Sequence, residues 1–134
     1  MRRSDGGQVV VESALAMAAF VMLVIGVLDF GRAFFAWQTL SVVAREGARW
    51  GMVHGSESGL SKDQAETQGA GWMQSQFGTS LPPQAKVKFT WPDGSNEPGN
   101  TVRVSVEADY TPVTPLLGTK KVKLEGVSQM EIIF

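Results

Sequence analysis

The run VVVESALAMAAFVMLVIGVL, from Val9 to Leu28, constrains this chain more than any other stretch: 20 residues with one charge, Glu12. At about 1.5 Å of rise per residue it makes a helix roughly 30 Å long, the thickness of the hydrocarbon layer of a bilayer. A retained membrane anchor and a removed secretory signal are the two readings. A removed signal needs a small-x-small site just after its apolar core. Asp29, Phe30, Gly31, Arg32, Ala33, Phe34 and Phe35 follow the core here, while the small residues Ala14, Ala16, Ala18 and Ala19 lie inside it. The sequence therefore favours a retained anchor. Arg2 and Arg3 precede the run, and positive charge on the short flank favours that flank in the cytoplasm, with the C-terminal part outside.

The remaining chain is short. Of 134 residues, roughly 80 are left for a head domain, too few to bury much surface alone. The chain has no cysteine, which removes disulfides, thiolate nucleophiles and zinc–thiolate sites. Exported domains of this size often carry disulfide staples, so packing on the anchor helix or on neighbours is the expected source of stability. The net charge of −1 provides no basic field for nucleic acid.

The helix is expected to continue beyond the membrane, from about Gln8 to Met52. Residues 29–52 contain no proline, and Phe30, Phe34, Trp37, Leu40, Ala44, Ala48 and Trp50 recur close to helical period. Gly47 and Gly51 soften its end, and His54-Gly55-Ser56 terminate it. This stripe either packs on the head or meets another subunit, and both can hold on different faces. Asp29 and Arg32 are spaced to pair at i,i+3.

Glu12 stands where a carboxylate costs a few kcal/mol or more and tends to mark function. It also lies close enough to the cytoplasmic edge to snorkel or take up a proton. Its surroundings bear on the choice. Arg2-Arg3-Ser4-Asp5-Gly6-Gly7 precede Gln8-Val9-Val10-Val11-Glu12. A basic leader, a glycine and a glutamate five positions later resemble the processing signature of type IV prepilins.

Two further blocks extend the resemblance, Gly26-Val27-Leu28-Asp29-Phe30-Gly31-Arg32-Ala33-Phe34 and Ala44-Arg45-Glu46-Gly47-Ala48-Arg49. Together with Gly7 to Ala16, these blocks make residues 7–50 similar to the TadE-like family, pseudopilins or minor pilins of the Tad (tight adherence, Flp) type IV pilus system. The resemblance implies a leader of residues 1–7 removed by a prepilin peptidase after Gly7, and a mature chain beginning at Gln8. It also implies a role for Glu12 in subunit assembly, where a buried carboxylate gains from the new α-amino group of a neighbour. The implied partners are other pilins, Tad pilus assembly proteins, the peptidase and membrane lipid, with no cofactor and no small-molecule substrate. The sequence departs from pilins of this system at Ser13, where an aromatic is common, and at Ala18-Ala19, where a proline is common, so a less kinked helix is expected.

The head, residues 54–134, starts with a Gly/Ser-rich joint at 54–61. Ser61 and Gln64 read as a capping box opening a helix from Lys62 to Phe77, with Ala65, Trp72, Met73 and Phe77 as its buried face and Gly69 and Gly71 weakening it. Pro82-Pro83 break the chain. Val87, Phe89 and Trp91, then Val102, Val104, Val106 and Ala108, then Val122 and Leu124 alternate with polar residues, as in an antiparallel sheet covered on one face. The third strand shifts phase near Gly126-Val127, as a β-bulge would produce, and resumes at Met130, Ile132 and Phe134. The long helix is the natural cover, which makes the fold α+β and pilin-like, with a three-stranded sheet and a second short helix.

The loop 92–100 holds the oxygen donors Asp93, Asn96 and Glu97. It matches no EF-hand spacing, and its glycine-rich turns account for it. Leu116 and Leu117 in the 111–118 loop either pack under the sheet or face a partner. His54, the single histidine, sits where a histidine caps helix carbonyls. No G-x-S-x-G, H-E-x-x-H or P-loop pattern occurs, so no enzyme is expected. Two functions compete: a structural minor pilin that enters a filament through its N-terminal helix, and a membrane-anchored extracytoplasmic binding module that does not. Gly7 and Glu12 favour the first.

Overall fold

A computed structural model describes residues 6–82, 84–113 and 120–133. Arg2, Arg3 and Asp5 of the expected leader, Pro83, Leu116, Leu117 and Phe134 lie outside the described residues. The chain forms α1 (Gly6–Val53), a 3₁₀ turn (Ser56–Ser58), α2 (Lys62–Phe77), β1 (Lys86–Thr90), β2 (Thr101–Tyr110) and β3 (Val122–Glu131). The strands make one antiparallel sheet in the order β1-β2-β3. This is the α+β arrangement expected from the periodicities. Helix α1 runs unbroken for 48 residues, about 72 Å.

The sheet packs on the second half of α1. Leu40, Val43, Ala44 and Ala48 are buried against Phe89, Val102, Val104, Val106 and Ile132, with Met73 of α2 completing the core. The contact is close because glycine stands on both sides. A Cβ at Gly126 of β3 would lie well inside 3.0 Å of the Leu40 carbonyl and the Ser41 amide, while one at Gly51 would meet the methyl groups of Val102 at 2.9 and 3.2 Å. Gly47 faces Met73 and Val104 in the same way. Gly47 and Gly51 therefore lie in the buried face, and α1 passes through both to Val53.

The same contact corrects the expected bulge. β2 and β3 pair without interruption from Thr101↔Glu131 to Tyr110↔Val122. Leu124, Gly126, Ser128, Met130 and Ile132 all face inward, and Val127 faces out. The phase looked broken because Gly126 lies under the α1 backbone, where a large apolar side chain has no room, and the inward Ser128 is polar.

It also corrects the first part of the expected stripe on α1, whose later members Leu40, Ala44 and Ala48 are buried and Trp50 half-buried. Phe30, Phe34 and Trp37 are 72%, 46% and 45% exposed. The face turned to the sheet carries Asp29, Ala33, Ala36, Leu40, Val43, Ala44, Gly47, Ala48 and Gly51, all buried or half-buried at helical spacing. A helix held this near a sheet seats small residues, so the aromatics are displaced to its flank.

At the distal end, Ser61 caps α2 in a full capping box with Gln64. Ala65, Gly69 and Met73 are buried, while Trp72 and Phe77 are half-buried. Gly69 makes room for Phe89 and Trp50, whose rings a Cβ would meet at 2.7 and 2.8 Å. Trp50 packs edge-on to Phe89 at 5.9 Å and stacks on His54 at 4.1 Å. The His54 ring nitrogen Nδ1 lies 2.8 Å from the Trp50 carbonyl, the capping position expected. The 92–100 loop docks on the joint before α2. Asn96, 6% exposed, accepts from the Ser56 amide and donates to the Leu60 carbonyl, both at 2.8 Å.

Gly126→Val should destabilise the full chain by about 1–3 kcal/mol or more through overpacking. Gly71→Ala, in open space on α2, should stabilise it by about 0.4–1 kcal/mol. Denaturant unfolding of the detergent-solubilised protein checks both, and a Gly126→Val chain as stable as the parent would refute the close contact.

Candidate functional site on the N-terminal helix

The sequence places its candidate residues at the start of α1, and the structure sets them in regular helix. Gly7 and Gln8 lie in the first turn, and a Cβ on Gly7 would meet nothing within 4 Å. Glu12 follows Gly7 by about 7.5 Å along the axis. Every residue from Gly6 to Leu28 is exposed, Glu12 included. Among the described residues α1 is the one helix long and apolar enough to cross a membrane, and its apolar window has no share buried in the fold. The first half of α1 thus contributes nothing to the core. It presents Val9, Leu15, Phe20 and Leu23 outward, a surface stable only in lipid or against other helices.

One residue past that span, Asp29 is only 6% exposed. The Tyr110 hydroxyl donates to the Asp29 carbonyl at 3.0 Å and lies 3.4 Å from its Oδ1, and the Val113 amide donates to Oδ1 at 3.1 Å. The helical spacing pointed to Arg32 as the partner of Asp29; partners on and just after β2 were not legible, because 81 residues separate Tyr110 from Asp29. The one available signal was a phenol closing an otherwise regular strand. The contact fixes the near end of the sheet at the level where the apolar span stops.

Burial, then the Asp29 charge and hydrogen bond, push the Tyr110 hydroxyl above its ordinary 10.0, against the opposing charge of Arg32. A raised value means that the fold favours the neutral phenol. Its stabilising contribution is therefore complete below 10.0 and is lost as pH rises through the higher folded value. Tyr110 is the single tyrosine, so tyrosinate absorbance reports it alone. The native titration midpoint should lie above that of the unfolded chain, and Asp29→Asn should bring it part of the way back.

Two features flank this clamp on α1. Phe30, Phe34 and Trp37 form a ridge, with ring centroids 6.2 Å apart for the first pair and 5.8 Å for the second. Elsewhere on the helix, Val27, Leu28, Gly31, Arg32, Phe35 and Ala36 line a groove of about 500 Å³ closed on one side by Tyr110. The outer face of the sheet is polar. Lys123 and Glu107 pair at 3.0 Å, which holds the Lys123 ammonium above its ordinary range, and Lys121 lies 3.9 Å from Asp109. In the 92–100 loop, Asp93 accepts from the Thr101 amide at 2.7 Å and from its hydroxyl, and Ser95 donates to Glu97 at 3.2 Å. The hydrogen bonds lower the Asp93 carboxyl below its ordinary value. No group of three or more metal-ligating His, Cys, Asp or Glu side chains occurs among the described residues.

Comparison with known proteins gives one match. Residues 7–49 fit the family model described as TadE-like protein, the family that the three sequence blocks resemble. Neither the curated proteins nor the solved structures contain a match to the chain. The matched segment covers the exposed span, Asp29, the ridge and the buried face of α1 up to Ala48, and stops before the head.

Proposed function

We propose that this chain is a structural subunit of a Tad-type pilus system, a pseudopilin or minor pilin held in the inner membrane by α1 before assembly. The observation that carries this reading is where the TadE-like match falls. It covers residues 7–49, and most of that segment has no partner in the fold: all side chains from Gly7 to Leu28 are exposed, and Phe30, Phe34, Phe35 and Trp37 remain so outside the span. The matched segment thus joins a long unpartnered surface, residues 7–28, to the stretch of α1 on which the head packs. An apolar helix of this kind associates with other helices in lipid through close packing and buried polar contacts.

Within that reading, residues 1–7 are a leader cut after Gly7, and Gln8 begins the mature chain. The α-amino group released there neutralises Glu12 of an adjacent subunit. A carboxylate gains from a cation most where water is scarce, so the pair sets the stagger between helices. The head faces away from the cytoplasm and serves as the exposed part of the subunit. No catalytic role is proposed.

Intact-mass measurement on native membranes should show a chain starting at Gln8; a full-length 134-residue chain would rule out processing. Glu12→Ala should insert normally yet lose cross-linking to other pilins and reduce pilus output. Unchanged cross-linking and unchanged pili would leave Glu12 without an assembly role.

A further inference from the structure

The near end of the head has a chemistry that the assembly reading does not use. α1 joins the span to the head without a break, and Tyr110 and Val113 are bonded to Asp29. The lower rim of the head is therefore held one residue beyond Leu28, at the membrane surface. Arg32 is four residues past Leu28, about 6 Å further along the axis. The polar headgroup layer on each side of a bilayer is about 5–8 Å deep, so the guanidinium stands at the level of lipid phosphates. Lys120 and Lys121, both exposed, lead into Val122, which pairs with Tyr110. These cations are thus at the same end of the head, where the acids are Asp109, 3.9 Å from Lys121, and Asp29, three residues before Arg32 and bonded to the Tyr110 hydroxyl and the Val113 amide.

The groove completes the arrangement. Its lining starts inside the span, at Val27 and Leu28, and continues through Gly31, Arg32, Phe35 and Ala36 beside Tyr110. The space over Gly31 is open, since a Cβ there would meet nothing within 4 Å. An open, mostly apolar groove that starts at the level of the hydrocarbon layer and carries one guanidinium matches one acyl chain and one phosphate. A second copy of α1 is the rival occupant. The surface it would offer is the ridge of Phe30, Phe34 and Trp37, which brings no acid to Arg32.

We infer that the groove between α1 and Tyr110 is a binding site for an anionic phospholipid of the surrounding bilayer, with its phosphate on Arg32 and its chain along Val27 and Leu28. This rests on the reading of residues 9–28 as a membrane span. Lys120 and Lys121 add long-range attraction, which acts over roughly a Debye length of 8 Å at physiological salt. The bound lipid seals the joint between span and head.

The full chain is reconstituted in nanodiscs of phosphatidylcholine with a minority of phosphatidylglycerol, released gently and weighed by native mass spectrometry with its retained lipids. Phosphatidylglycerol should be retained above its bilayer share by on the order of fivefold, the factor that one cation near the surface supplies. Arg32→Gln should abolish the enrichment, Lys120→Gln with Lys121→Gln should reduce it, and Arg45→Gln, an exposed cation higher on α1, should not change it. A Tyr110 midpoint that stays above that of the unfolded chain shows that a variant keeps the head clamped; in Arg32→Gln it should move further up, since the Arg32 charge lowers it. Retention in proportion to the bilayer, or full enrichment in Arg32→Gln, overturns the inference, as does efficient cross-linking of Gly31→Cys in one copy to Phe34→Cys in another. A parent chain that fails to enter nanodiscs overturns the span reading itself, and a parent chain that inserts normally without enrichment overturns the lipid site alone.

Discussion

The contact of Leu40 with Gly126 sets the rest of the structure. Backbone meets side-chain-free backbone there, and the separation of α1 from the sheet follows. At that distance the helix turns mainly small residues to the strands, Ala44, Gly47, Ala48 and Gly51, beside Leu40 and Val43. Phe89, Ile132 and the three valines of β2 fill the core from the sheet side, and Met73 fills it from α2. Phe30, Phe34 and Trp37 lie on the flank of this seam, where they become a surface, while Trp50 at the far end packs on Phe89. One steric condition thus decides both what the head is made of and what the helix shows to its surroundings.

Much of this was legible in the sequence, for physical reasons that can be named. The span, the long proline-free continuation, the Ser61–Gln64 box and the alternation of β2 all rest on local periodicity or local hydrogen bonding, which a sequence displays directly. What misled was size. The stripe read from Phe30, Phe34, Trp37, Leu40, Ala44, Ala48 and Trp50 holds from Leu40 onward, but periodicity cannot report how near the next layer lies, and below Leu40 the true face lies to one side at Asp29, Ala33 and Ala36. The broken phase at Gly126-Val127 has the same origin. A glycine in an apolar register reads as an interruption when it is the position of closest approach.

The site divides similarly. Gly7, Gln8 and Glu12 stand out by their spacing and by the cost of a carboxylate in lipid, and they occupy the exposed end of α1. The Asp29–Tyr110–Val113 clamp joins residues far apart in the chain, and nothing local announces it. The groove beside it requires both α1 and the end of β2, so it too exists only in three dimensions. TadE-like likeness stops at residue 49, which leaves the sheet and α2 to be understood from packing alone.

The head is tied to α1 at two heights: by Tyr110 and Val113 at Asp29, and by the Ile133 amide to the Met52 carbonyl at 3.0 Å. Between those ties the helix is continuous. Span and head therefore behave as a shaft and a fixed flange. A twist or tilt imposed on the exposed end of α1 is passed to the head, and the azimuth of the head reports the rotation of that end of the helix.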